Sequence, residues 1–166
     1  NFKIVKLKIT KIIIKKKNFN QYFLKNKIFK IGKEIKERNK KNNPYFDSKP
    51  FGPELRDLYI LHQIILKYKR TTILEFGVGW STKVMANALL INEKKYSNRI
   101  KDLRLNNAFQ IHSVDNFKKY ISLTKKKLSI NEKKNTFIKF SKVKMCKFNG
   151  RIATEYEQIP RVNPDL

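Results

Sequence analysis

The segment Glu75-Phe76-Gly77-Val78-Gly79-Trp80-Ser81-Thr82 holds the residue types best suited to chemistry in this chain. Two glycines two apart, between a β-prone run and an amphipathic run, let the main chain approach a ligand closely, because glycine has no Cβ and accepts positive φ without penalty. The N–H groups of the helix expected after them, with its positive dipole end, favour an anionic group on that ligand. A dinucleotide fingerprint, G-x-G-x-x-G, would need glycine at position 82, where this chain has threonine, and an acidic residue two before the first glycine, as Glu75 is here, is not part of that fingerprint. Trp80, inside the turn, either lines the ligand site or packs against the sheet edge. Asp115 ends a second β-prone run, where a carboxylate can accept two hydrogen bonds at once.

Elsewhere the chemistry thins out. His62 falls on an apolar helical stripe and reads as a partly buried structural histidine. His112 and Asp115 are three apart on a strand and point to opposite faces, which argues against a catalytic pair. Cys146 lies in a strand-like stretch and reads as a buried small hydrophobe rather than a nucleophile. One cysteine and two histidines exclude an intramolecular disulfide and a Cys-rich zinc site, and no metal centre is expected.

The elements that must position these residues follow from periodicity. Thr71 to Phe76 is a short strand that ends in the glycine turn, and Lys83 to Ile91 is a helix with Val84, Met85, Ala88 and Leu89 on one face. Before them, Leu55, Leu58, Tyr59, His62, Ile65 and Leu66 recur at three and four, an amphipathic helix from Glu54. After them come a charged stretch over 92–107, a strand from Phe109 to Asp115 and a helix over 117–130. Alternation returns between Phe137 and Phe148 with a phase slip at Ser141-Lys142, read as a bulge. Asn149-Gly150 is a hairpin turn, with Arg151 to Tyr156 as the returning strand. The β-α-β-α order predicts an α/β fold, parallel at its centre, with a hairpin inserted late. Residues 20–40 read as a helix, through Ile28, Ile31 and Ile35; residues 1–17 stay open between strand and helix. Asn42 to Pro44 and Asp47 to Pro53 read as a linker.

Taken together, Glu75, Gly77 and Gly79 resemble motif I of the class I S-adenosylmethionine-dependent methyltransferases, Glu/Asp-x-Gly-x-Gly-x-Gly at the end of the first strand. Ser81, a small residue, stands where the third glycine would be. Asp115 looks like the acidic position that accepts hydrogen bonds from the ribose hydroxyls in this family, and 160–166 look like the lead-in to its fourth strand. The resemblance covers roughly residues 55–166. It implies a Rossmann-like methyltransferase fold that stops after about the third strand, preceded by a Lys-rich N-terminal helical arm. It also implies S-adenosylmethionine as cofactor, with Glu75, Gly77, Gly79, Ser81 and Asp115 as binding residues. The acceptor is open, a small molecule or sugar being favoured, and no catalytic residue is assigned. Methyl transfer needs little acid–base chemistry when positioning supplies most of the rate. Gly77 and Asp115 are 38 residues apart, against about 20 in a compact βαβ unit; an insertion or an elongated helix within 92–107 absorbs the surplus.

Composition sets the outer limits. The 166 residues suit one globular domain, here divided into a basic arm and linker over 1–50 and a partial α/β domain over 51–166. No apolar run approaches the length of a membrane span, no secretory signal opens the chain, and a cytoplasmic protein is expected. The chain starts without Met and ends in Pro164-Asp165-Leu166, and on that ground it reads as a fragment of a longer product. The net charge of +26 admits a second function class, a basic nucleic-acid-binding module, or attraction to an anionic membrane surface. Only seven of the 39 cations are arginine, the residue preferred for bidentate phosphate and base contacts, and the cations are spread along the chain. Coding bias toward lysine, asparagine and isoleucine therefore accounts for the charge better than a nucleic-acid footprint does.

Overall fold

The structure, a computed structural model, describes residues 18–29, 52–101 and 106–166. Helix α1 spans Phe19–Lys25, and α2 spans Leu55–Lys67. Strand β1, Thr72–Phe76, leads through the glycine turn into α3, Trp80–Ile100; β2 is Gln110–Asp115. Helices α4, Lys118–Lys127, and α5, Ile130–Lys134, precede β3, Thr136–Phe140. Strands β4, Val143–Phe148, and β5, Arg151–Tyr156, complete the described elements.

Strands β1, β2 and β3 form a parallel sheet in that order, with Ile73 opposite Ile111 and Ile111 opposite Thr136. The chain is thus α/β with helical connections between parallel strands, an arrangement compatible with a Rossmann-like fold. Alternation along the strands separates two faces. Ile73 and Ile111 point into a core with Ile65 of α2, Met85, Ala88 and Leu89 of α3, and Leu128. On the other face His112 stacks on Phe137, which is half-exposed. The outer edge of β1 is also engaged. Asp165 donates its N–H to the Thr72 carbonyl at 2.9 Å, and Leu166 accepts from the Leu74 N–H at 3.0 Å. The Asp165 carboxylate accepts from the N–H groups of Thr71 and Thr72 and from the Thr71 hydroxyl, which anchors this run at the start of β1.

A second cluster lies on the far side of the first turns of α3. Phe23, Ile28 and Phe29 pack with Leu58 and Tyr59 of α2 and with Val84. Residues 18–29 therefore share apolar burial with the first turns of the helix that opens the glycine turn.

Several expectations are corrected. The helix expected over 20–40 ends at Lys25. There the Ile28 N–H reaches the Phe23 carbonyl at 3.0 Å and the Lys27 N–H reaches that of Leu24 at 2.9 Å. That is a Schellman closure with Lys27 at φ 55, where glycine would ordinarily announce the stop. Helix α2 ends alike: the Arg70 N–H bonds the Ile65 carbonyl, and Lys69 stands at φ 52. Ile31, Ile35, residues 1–17 and the linker up to residue 51 lie outside the described residues. Helix α3 runs on to Ile100, so an elongated helix takes up much of the long Gly77–Asp115 spacing. The helix expected over 117–130 is divided at Leu128, with Ser129 accepting from the Glu132 N–H to start α5. Ser141-Lys142 is not a bulge. The chain leaves the parallel sheet there, and β4 pairs antiparallel with β5 in a ribbon of its own. Asn149 and Gly150, at φ 49 and 80, turn that ribbon as the sequence predicts. Cys146 is half-buried on the ribbon rather than in the core.

Candidate functional site

The glycine turn is built at the C-terminal ends of β1 and β2, where open α/β sheets present their ligands. Strand pairing sets Glu75 opposite Ser113 and carries Phe76 alongside Val114. The Gly77 N–H continues the ladder by donating to the Val114 carbonyl at 2.8 Å. Helix α3 then begins at Trp80, so the turn consists of Gly77, Val78 and Gly79.

Glu75 does not face outward. Its Oε1 accepts from the Ser81 hydroxyl at 2.6 Å, and its Oε2 accepts from the hydroxyls of Thr82 at 2.7 Å and Ser113 at 2.8 Å. The residue as a whole is half-buried, yet its carboxyl group is enclosed by these three donors. Burial pushes the carboxyl above its usual range. The three hydroxyl donors oppose that shift, and neighbouring Asp115 adds to it. Thr82 also accepts from the Gly79 N–H at 3.0 Å, so one hydroxyl ties both the turn and the helix start to Glu75.

Asp115 is buried and spans two loops. Its Oδ2 accepts from the Val78 N–H at 2.9 Å and its Oδ1 from the Phe117 N–H at 2.6 Å. Each carboxylate oxygen has a second lone pair, so these bonds leave acceptor capacity on both oxygens.

The two glycines are not equivalent. Positive φ was expected to favour glycine at both, but only Gly77 takes it, at φ 85; Gly79 is extended, at φ 172. A Cβ built on either would meet nothing within 4 Å. Backbone conformation accounts for glycine at position 77. At position 79 neither conformation nor protein neighbours require it, and the space in front is free for a ligand.

Beside the turn lies a cleft of about 310 Å³, lined among others by Val78, Gly79, Trp80, Ser81, Tyr120 and Lys127. Trp80 is one wall. Its ring meets Phe29 edge-on at 5.2 Å and carries the Lys127 ammonium 3.4 Å from its centroid. A shallow basin of about 330 Å³ on the outer side of α4, among Lys118, Lys125, Lys126 and Lys133, does not touch the turn. The cleft at Gly79 is therefore the better candidate for a small ligand.

All five residues singled out from the sequence thus meet in one place: Glu75 and Ser81 bonded to each other, Gly77 and Gly79 between them, and Asp115 bonded to Val78. Sequence reasoning missed Thr82 and Ser113. Thr82 was considered only for the glycine it replaces, and Ser113 becomes a partner of Glu75 only once β1 and β2 pair. The other polar residues stay apart. His62 is wholly buried between Tyr22 and Asn87, and His112 bonds Gln110. No group of three metal-ligating side chains occurs among the described residues. Comparisons of this chain with protein-family models, with curated proteins and with solved structures found no match.

Proposed function

We propose that this chain binds S-adenosylmethionine at the Gly77–Gly79 turn and serves a methyltransferase, with the acceptor open and a small molecule or sugar favoured. The observation that carries this reading is Gly79: an extended residue that faces empty space at the start of a long helix and beside a cleft. The residues present fit the cofactor. The open turn and the N-terminus of α3 suit its carboxylate end. The acceptor capacity left on Asp115 suits two ribose hydroxyls, and Trp80 offers an apolar wall. When bound, S-adenosylmethionine supplies a methyl group already activated on a sulfonium.

The chain's own residues do the positioning. Glu75 holds Ser81 and Thr82, which fixes the first turn of α3, and Asp115 holds Val78, which fixes the glycine turn. Positioning of this kind carries most of the rate when the electrophile is preactivated.

Gly79→Val separates binding from folding. It fills the space in front of the turn, yet needs no positive φ and meets no protein atom, so thermal stability should stay within a few degrees of wild type. Calorimetric binding of S-adenosylmethionine should be lost in this variant and present in wild type. Equal affinity in the two chains, or no binding by wild type, overturns the reading.

A further inference from the structure

Helix α4 turns a face of cations outward. Lys118, Ser122, Lys125 and Lys126 recur at helical spacing and line the basin of about 330 Å³, together with Lys133 of α5 and the nearly buried Ile121. Between residues 116 and 142 the chain carries nine lysines and a single acid, Glu132. Glu132 does not offset them at the surface. It is buried, and its carboxylate accepts from the Lys83 ammonium of α3 and from the Ser129 N–H. The surface of this segment therefore has one sign.

Coding bias toward lysine accounts for the total charge of the chain, but it does not strip acids from one surface. On the β4–β5 ribbon the signs mix, and Lys144 pairs with Glu155 at 3.0 Å. Around the basin four ammonium groups repel one another, and an anion lying across them relieves that repulsion and releases counterions. A single phosphate is too small for the whole face. Lys118 and Lys125 are seven residues apart on α4, about 10 Å along its axis, so the face addresses successive phosphates of a chain.

We propose that this face binds a single-stranded polynucleotide, with its phosphates along Lys118, Lys125, Lys126 and Lys133 and its bases on the rings beside Lys118. Phe140, 38% exposed, has the Lys118 ammonium 5.1 Å from its centroid, and Phe117, 43% exposed, meets Tyr120 edge-on at 4.7 Å. Exposed ring faces beside a cationic track suit unstacked bases, which a duplex does not offer. A bilayer fits less well. Ile121 and Leu128 are buried, and Ile130 is the one large aliphatic residue exposed on α4 and α5, so no apolar face is left to enter lipid. Arginine is absent from 116–142, and lysine meets phosphate as a point charge, so binding is tolerant of sequence. The inference goes beyond the glycine turn and stands whether or not S-adenosylmethionine binds there, because its test contains no cofactor.

The test is fluorescence anisotropy of the full chain with a labelled oligo(dT) strand over a series of salt concentrations. Wild type should bind this strand more tightly than a duplex of the same length. Changing Lys118, Lys125, Lys126 and Lys133 together to Gln should weaken binding at low salt at least about tenfold and flatten the slope of log K against log salt by about 3. The control changes Lys94, Lys95, Lys144 and Lys147 to Gln, removes the same charge elsewhere, and should alter that slope by less than about 1. Phe117→Leu with Phe140→Leu should weaken binding about fivefold or more with the slope unchanged, a readout independent of how the lysine variant folds. Equal loss of slope in the two lysine variants assigns binding to total charge and overturns the proposal. So does tighter binding of the duplex, displacement of the strand by phosphatidylserine vesicles at equal phosphate concentration, or no binding by wild type.

Discussion

Two of the polar networks among the described residues invite comparison, one at the glycine turn and one beneath the N-terminal helix. At the turn, a carboxyl group is enclosed by three hydroxyls, one of them on Ser81 at the wall of an open cleft. Beneath α1, neutral groups close on one another: Gln63 donates to the Tyr22 hydroxyl at 2.6 Å, and that hydroxyl meets His62 Nδ1 at 2.6 Å. Asn87 Oδ1 accepts from His62 Nε2 at 3.1 Å, and Asn87 Nδ2 donates to the Asn26 carbonyl at 3.3 Å. The direction of these bonds assigns the proton to Nε2 and leaves Nδ1 to accept from Tyr22. The comparison teaches what each network is for. The His62 chain satisfies its groups completely and ties α1, α2 and α3 together, as structural mortar does. The Glu75 cradle encloses a group that can ionise next to another carboxylate, an arrangement stability alone does not favour.

The sharpest way to break the comparison is to remove each centre. His62→Ala leaves a cavity and strips partners from Tyr22 and Asn87, so it should destabilise the chain by about 3–4 kcal/mol. Glu75→Gln should change stability by less than about 1 kcal/mol at neutral pH, because hydroxyl donors can rotate to serve an amide. Chemical denaturation of both variants checks this. A larger loss from Glu75→Gln than from His62→Ala would make the turn the structural centre.

The pH dependence of stability should be of opposite sign at the two centres. Burial lowers His62 from 6.5 to about 4. As pH falls from 6.5 toward 4 the unfolded chain takes up the proton first, so stability drops by up to about 3 kcal/mol. Burial raises Glu75 above 4.5. Its contribution is present below pH 4.5 and is lost as pH rises through its folded value. Denaturation curves at stepped pH should show the His62 slope vanish in His62→Gln and the Glu75 slope vanish in Glu75→Gln. Unchanged slopes would show that neither group titrates as its surroundings imply.

At the turn itself, Asp115→Ala should lower S-adenosylmethionine affinity by about 2 kcal/mol, roughly thirtyfold. It should also destabilise the fold by about 1–3 kcal/mol, because the N–H groups of Val78 and Phe117 lose their acceptor. Glu93→Ala, which removes only an acceptor for Asn135 on α3, should change affinity less than about twofold. Calorimetry at one salt concentration keeps the general field of this basic chain out of the result. A greater effect from Glu93 than from Asp115 would move the site away from β2.

The smallest expected effect concerns how the two helices around the His62 network end. Lys27 and Lys69 hold left-handed conformations that glycine adopts without strain, so Lys27→Gly and Lys69→Gly should each stabilise by about 1 kcal/mol, seen as a rise in Tm. A fall in Tm would show that the lysine side chains contribute more than the backbone strain removes.

The sequence by itself determined the β-α-β order, the glycine turn with Glu75, Gly77, Gly79 and Ser81 around it, and the hairpin at Asn149-Gly150; Asp115 was joined to them only by the family resemblance, and β1–β2 pairing is what brings it to Val78. Those features rest on local signals: periodicity, a Gly-x-Gly between strand and helix, and a two-residue turn. Helix ends were illegible where lysine sits at a position glycine usually marks, which is why α1 ends at Lys25 and not near residue 40. Only the tertiary structure decided the rest. Pairing of β1 with β2 brought Ser113 to Glu75. Docking of α1 turned Tyr22 and His62 into one network, and the exit at Ser141 made a separate ribbon of what read as one bulged strand. These contacts join residues 38 or more apart, or depend on which neighbour a strand pairs with, and neither is written in local pattern: it is settled by how the apolar faces close against one another.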